Sequence, residues 1–145
     1  MFELSKQFRF ESAHTLQRAA DNEPEASRRI HGHSYRAEVV VRGDADPKTG
    51  MVVDFGVLER AVEQARLGLD HHYLNEVPGL GPATMENISI WIWRTLADCA
   101  GLARVTVHRD STGEMCSYLA REIRQKPVRP DFRSRSAAPR CACRR

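Results

Sequence analysis

Ile30-His31-Gly32-His33-Ser34-Tyr35, running straight into Arg36-Ala37-Glu38-Val39-Val40-Val41, is the stretch whose reading decides the fold. Two histidines one residue apart share a face only on extended backbone, because strand side chains alternate. The valine-rich continuation favours a strand, so Tyr35 to Gly43 reads as one, with His31 and His33 on or just before it. Two imidazoles on one face supply two ligands of an open, three-ligand metal site. The best third is His14, which closes Phe8-Arg9-Phe10-Glu11-Ser12-Ala13-His14. There the even positions Phe8, Phe10, Ser12 and His14 share a face. The expectation is that His14, His31 and His33 bind Zn²⁺ and leave the fourth position open for chemistry. Five of the six histidines fall in the first half of the chain, beside carboxylates.

The totals bound the answer. A chain of 145 residues makes one domain with a core of its own. No apolar run reaches membrane-spanning length, and Met1-Phe2-Glu3-Leu4-Ser5 lacks the apolar core of a secretory leader. A soluble cytoplasmic protein with no membrane partner is expected. Cys99, Cys116, Cys141 and Cys143 form no disulfide framework and suit a reducing compartment. The net charge of +3 hides an asymmetry, for nine Lys/Arg against two acidic residues lie in 121–145. The body is therefore acidic, and no nucleic-acid surface is expected on it. Residues 1–120 read as the folded domain. The basic stretch 121–145, with Pro127, Pro130 and Pro139, reads as a disordered tail.

Along the chain, residues 2–14 read as a first strand and 15–29 as a long polar loop leading to the histidine pair. Asp44 to Gly50 carries turn chemistry, after which Met51-Val52-Val53 is expected to resume the hairpin. Asp54 suits a helix N-cap, and Phe55, Leu58, Ala61, Val62, Ala65 and Leu69 follow helical spacing. Thr84 suits a second N-cap, for a helix reaching Ala100 with Ile88, Trp91, Ile92, Leu96 and Cys99 as its stripe. Gly101 is placed to end it. Ala103 to His108 and Ser117 to Ile123 read as closing strands, with Asp110-Ser111-Thr112-Gly113 as their turn. The order β-β-β-α-α-β-β implies an α+β domain, an antiparallel sheet with two helices on one face.

Further residues carry possible chemistry. In Asp70-His71 a carboxylate beside an imidazole can fix its tautomer and raise its basicity, the arrangement of a general acid/base. Glu86 lies in the first turn of the second helix, where the helix dipole alone favours a carboxylate. Asp110 and Glu114 flank the last turn.

Taken together these stretches have a counterpart. Phe10-x-x-Ala13-His14, His31-Gly32-His33-Ser34-Tyr35, Val53-Asp54-Phe55, Leu69-Asp70-His71-His72-x-Leu74-Asn75 and Pro82-x-Thr84-x-Glu86-Asn87 occur in that order. Over residues 1–120 the chain resembles the 6-pyruvoyl-tetrahydropterin synthase and 6-carboxytetrahydropterin synthase family. The resemblance implies a tunnelling fold, in which subunit sheets join into a barrel, as a homohexamer of two trimers with active sites at subunit interfaces. It implies that zinc on His14, His31 and His33 grips the hydroxylated side chain of 7,8-dihydroneopterin triphosphate, that Asp70 and His71 relay protons, and that Thr84 and a late acidic residue hold the pterin. The expected product is 6-carboxytetrahydropterin, as in queuosine and deazapurine biosynthesis.

Two departures stand out. Family members commonly carry a catalytic cysteine four residues before the His-Gly-His motif, and here that residue is Ser27. A serine hydroxyl is a far poorer base than a thiol whose pKa is near ~8.5. Glu25 is an alternative base, as in a branch that cleaves the pterin side chain to 6-hydroxymethyldihydropterin for folate. Loss of turnover, leaving a zinc- or pterin-binding module, is a further alternative. The second departure concerns the pterin-anchoring glutamate. Counting from Val105-Thr106-Val107 places Arg109 there, counting back from Tyr118 places Asp110, and Glu114 is a third possibility. Thr84, Glu86, Asp110 and Glu114 are thus the candidate substrate-binding residues.

Overall fold

Phe8 lies opposite Ala37, Phe10 opposite Tyr35, Ser12 opposite His33 and His14 opposite His31, and this register organises the molecule. It belongs to β1 (Phe2–His14) and β2 (His31–Gly43) in a computed structural model that describes residues 1–16 and 28–120. Ser27, Glu25 and the tail 121–145 lie outside the described residues. β2 therefore begins at the first histidine of the pair, so both imidazoles stand on regular strand.

β3 (Leu102–Arg109) and β4 (Glu114–Leu119) complete a sheet of order β1-β2-β3-β4, antiparallel throughout. The last strand thus starts three residues before the expected Ser117. The stretch Met51-Val52-Val53 is not a strand. β2 already has β1 on one edge and β3 on the other, so no edge is left for it to join. Asp46 instead folds the preceding turn back on itself, accepting from Lys48 N at 2.7 Å and Thr49 N at 3.0 Å, and residues 51–53 cross from sheet to helix.

α1 (Phe55–Leu67) begins where Asp54 accepts from Gly56 N at 2.6 Å. α2 (Met85–Thr95) begins where Thr84 accepts from Asn87 N at 3.3 Å. Both caps satisfy amides that the helix leaves unpaired. α2 stops short of the expected Ala100. Gly101, at φ +76°, packs so tightly on β2 that a Cβ there would lie 2.5 Å from Arg42 O, so the chain must leave the helix early to enter β3.

One face of the sheet and the two helices share the core. Phe8, Phe10, Tyr35, Ala37, Val39, Val105 and Val107 meet Leu58, Val62, Ile88 and Ile92, all buried. Each such side chain contributes about 1.5–3 kcal/mol of transfer free energy. Phe55 departs from its expected place in the α1 stripe. It is half exposed, beside Phe2 and Met51.

Candidate metal centre

The core-facing side of β1 and β2 continues beyond Phe10 and Tyr35 into Ser12, His33, His14 and His31. Strand alternation and antiparallel register bring the three rings together, with centroids 4.5 Å (His14–His31), 5.0 Å (His14–His33) and 4.9 Å (His31–His33) apart. One nitrogen from each ring lies within 4.8 Å of the others, close enough to share a cation.

The partners of these rings assign their protons. His14 Nδ1 is 2.7 Å from Ala83 O and His31 Nδ1 is 2.9 Å from Arg29 O. A carbonyl only accepts, so each Nδ1 donates and each Nε2 keeps a free lone pair. His14 Nε2 is buried and has no hydrogen-bond partner among the described residues, which is costly unless something ligates it. Burial lowers the His14 pKa from its ordinary value. Burial first, then the charge of Arg109 and the neighbouring imidazoles, lowers His33 to about 4. His14 and His33 are therefore neutral near pH 7, the form that binds metal. Three imidazoles close enough to share a cation, with one nitrogen orphaned among the described residues, fit a zinc ion with an open position.

A cavity of about 360 Å³ opens beside the triad, lined by His14, Ala83, Thr84, Glu86, Arg109 and Glu114. Of the four expected substrate-binding residues it therefore holds Thr84, Glu86 and Glu114. Asp110 is elsewhere. Arg36, from the face of β2 opposite the core, binds it through Nε at 2.9 Å and Nη2 at 2.8 Å. Glu114 is kept ionised by the Thr112 hydroxyl and by Arg109.

Asp70 and His71 lie at a different place. Residues 70–73 dock along the outer edge of β1, with His71 N donating to Glu11 O at 2.7 Å and Ala13 N to His72 O at 3.2 Å. Asp70 accepts from Glu11 N at 2.9 Å and from Arg66 Nη1 at 2.6 Å. The Glu11 amide leads the causes that hold its carboxyl below the usual range. His71 sits at φ 59°, rare for a residue with a side chain, with Nδ1 3.1 Å from Asp70 Oδ1 and its ring 79% exposed. It lines a second cavity of about 460 Å³ together with Glu11 and Ser34, whose side chains leave the sheet on the face away from the core. Of the triad only His33 also lines the dyad's cavity, and only His14 lines the cavity that holds Thr84, Glu86 and Glu114.

Sequence reasoning reached Arg109 only by counting, as the residue at the place of an expected glutamate. Its alternation with Val105 and Val107 is the signal that puts it on the core face. Arg109 Nη1 is 3.2 Å from His33 Nε2, and its Nη2 is paired with Glu114.

Comparison with known proteins agrees with this geometry. The family described as 6-pyruvoyl tetrahydropterin synthase matches residues 3–121. A 6-carboxy-5,6,7,8-tetrahydropterin synthase from Synechocystis sp. is 37% identical over 126 residues, covering 83% of this chain and 92% of the relative. A dihydroneopterin monophosphate aldolase from Pyrococcus furiosus is 41% identical over 63 residues, 43% of this chain and 52% of that protein. The structure of Caenorhabditis elegans 6-pyruvoyl tetrahydropterin synthase superposes with a TM-score of 0.69 at 23% identity, covering 83% of this chain and 96% of that one. That last likeness speaks for the fold.

Proposed function

From the premise that the chain belongs to the 6-pyruvoyl tetrahydropterin synthase family, we propose that it is a zinc-dependent lyase converting 7,8-dihydroneopterin triphosphate to 6-carboxy-5,6,7,8-tetrahydropterin, a step toward queuosine and other deazapurines. The observation that carries this reading is the His14–His31–His33 cluster with its orphaned His14 Nε2, in a chain similar over most of its length to the Synechocystis synthase. His14, His31 and His33 would hold the ion. Ala83 O and Arg29 O, by taking the Nδ1 protons, orient the first two rings as outer partners of metal ligands do. Bound there, zinc supplies Lewis acidity, lowering the pKa of side-chain hydroxyls and polarising a developing carbonyl.

The chain's own residues divide the remaining work. Thr84, Glu86 and Glu114 offer a hydroxyl and two carboxylates to the donor-rich edge of a pterin in the 360 Å³ cavity. Asp70 stays ionised and fixes the tautomer of His71, whose exposed ring is then free to carry a proton. Because His71 does not line the cavity that holds His14, Thr84 and Glu86, it would serve the triad of another copy. That agrees with assembly through sheet edges into a barrel, with a hexamer of two trimers as the complete form. β4 and the Phe2–Arg9 part of β1 have no strand beyond them among the described residues, and Phe2, Met115 and Leu119 are exposed beside those edges. Among the described residues no helix is long and apolar enough to cross a membrane, and Cys99 and Cys116 are unpaired. A cytoplasmic setting is part of the same reading.

A second reading is cleavage of the pterin side chain to 6-hydroxymethyldihydropterin, with Glu25 as base. Ser27 in place of the usual cysteine and the similarity to the Pyrococcus aldolase favour it. Incubating the zinc-loaded protein with 7,8-dihydroneopterin triphosphate and weighing the products decides between the two. 6-Carboxytetrahydropterin with release of acetaldehyde and triphosphate supports the first, 6-hydroxymethyldihydropterin the second, and no product with bound pterin a module without turnover. Absence of both zinc and pterin binding overturns the proposal.

A further inference from the structure

Arg109 is an unusual neighbour for a cation site. A guanidinium keeps its charge at any pH a protein survives, and all its nitrogens donate. The Arg109 side chain is only 15% exposed, and its three kinds of nitrogen have different fates. Nη2 is paired with Glu114. Nη1 donates to His33 Nε2 at 3.2 Å. Nε is buried and has no partner among the described residues.

The contact to His33 cannot survive metal binding unchanged. With Nε2 accepting from Arg109, the proton of the neutral ring is on Nδ1, so neither nitrogen of His33 has a lone pair to give. A cation entering the triad must take Nε2 from Arg109, or the ring must turn; either way Nη1 is released. Arg109, which lines the 360 Å³ cavity, then has Nη1 unspent, while its Nε stays buried without a partner among the described residues. The charges there also change. The cavity wall carries Arg109 against the carboxylates of Glu86 and Glu114. A divalent ion on three neutral imidazoles turns that excess of one negative charge into an excess of one positive. Like charges on the ion and on Arg109 repel, and an oxyanion reaching both relieves them.

We infer that Arg109 is a specificity-determining residue of this site, holding an oxyanion of the pterin ligand, a carboxylate or a phosphate, through the donor freed when the metal displaces it from His33. The inference rests on the metal-and-pterin reading above. It predicts a chain that discriminates among pterins by charge at the end nearest the metal, where an uncharged side chain leaves the released Arg109 Nη1 without a charged acceptor.

Calorimetric titration of the zinc-loaded full chain with 6-carboxypterin, dihydroneopterin monophosphate and neutral 6-hydroxymethylpterin tests it. The wild-type chain should bind one of the two anionic pterins more tightly than the neutral one by on the order of 10- to 100-fold, the range of a hydrogen bond to an ionised group. Preference for the first ligand assigns a carboxylate, and preference for the second a phosphate. In R109Q the preference should collapse to within about threefold while zinc content stays at the wild-type level. R109K, which keeps the charge and loses the fixed fork, should fall between and carries the test should R109Q not fold. Pterins that bind without preference, a preference that survives R109Q, or zinc lost from R109Q together with R109K each overturn the inference and leave the pterin reading standing. If none of the three pterins binds the zinc-loaded wild type, that reading falls and takes the inference with it.

Discussion

The two ends of the core-facing side of the sheet are built by one rule and do opposite things. At one end the paired rows are Phe8 with Ala37 and Phe10 with Tyr35, buried under helices. Two rows further on they are Ser12 with His33 and His14 with His31, on the same face and in the same register. The apolar rows gain free energy from leaving water. The histidine rows lose some, for His14 and His33 are held neutral by burial and His14 Nε2 has no partner among the described residues. The comparison teaches that the histidine end of this sheet is an interrupted core, with a cost that a ligand on His14 Nε2 would relieve.

The largest effect separating the ends should come from the apolar side. Phe10→Ala removes a fully buried ring stacked at 4.9 Å on Tyr35. It should cost about 3–5 kcal/mol in denaturant unfolding of the metal-free chain, whereas His14→Ala under the same conditions should cost less, because the orphaned Nε2 leaves together with the bond to Ala83 O. A comparable loss in both would erase the contrast.

The gap narrows when zinc is present. Zinc at a hundred times its Kd should raise the stability of the wild-type chain by about 2.7 kcal/mol, reversed by chelation. His14→Ala should lose at least about 100-fold in zinc affinity, exceeding the 10- to 100-fold typical of outer partners. Thermal melts with and without metal, beside metal analysis of the purified protein, measure both.

Acid should act on the histidine end. The native chain keeps His33 neutral down to about pH 4, while the unfolded chain takes up that proton near the ordinary 6.5. The unfolded state therefore binds more protons between those values, and metal-free stability should fall as pH drops through that window and be flat above it. His33→Gln should flatten the part of the slope that His33 supplies, as seen in urea melts at pH 4.5 and 7.

The smallest effects belong to the helix starts over the two ends. Asp54→Ala and Thr84→Ala each remove a cap hydrogen bond and should cost about 1 kcal/mol. Of the two, only Thr84→Ala should also weaken pterin binding, because Thr84 alone lines the cavity beside the triad.

Local chemistry was legible before any coordinates. Alternation in Phe8 to His14 and the valine-rich run after Tyr35 marked both strands, Asp54 and Thr84 announced two helix starts, and His-x-His marked two imidazoles on one side. Each of these is a property of a few adjacent residues, whose spacing fixes where side chains point. What tertiary structure alone decided is who meets whom across the chain. Register put His14 opposite His31, occupied both edges of β2 so that Met51–Val53 could not pair, drew Asp110 across to Arg36, and seated Asp70–His71 on the outside of β1. It also brought Arg109 to His33 from 76 residues away. Spacing along a chain carries no record of such meetings, because they are settled by which surfaces pack and which strand edges are already taken.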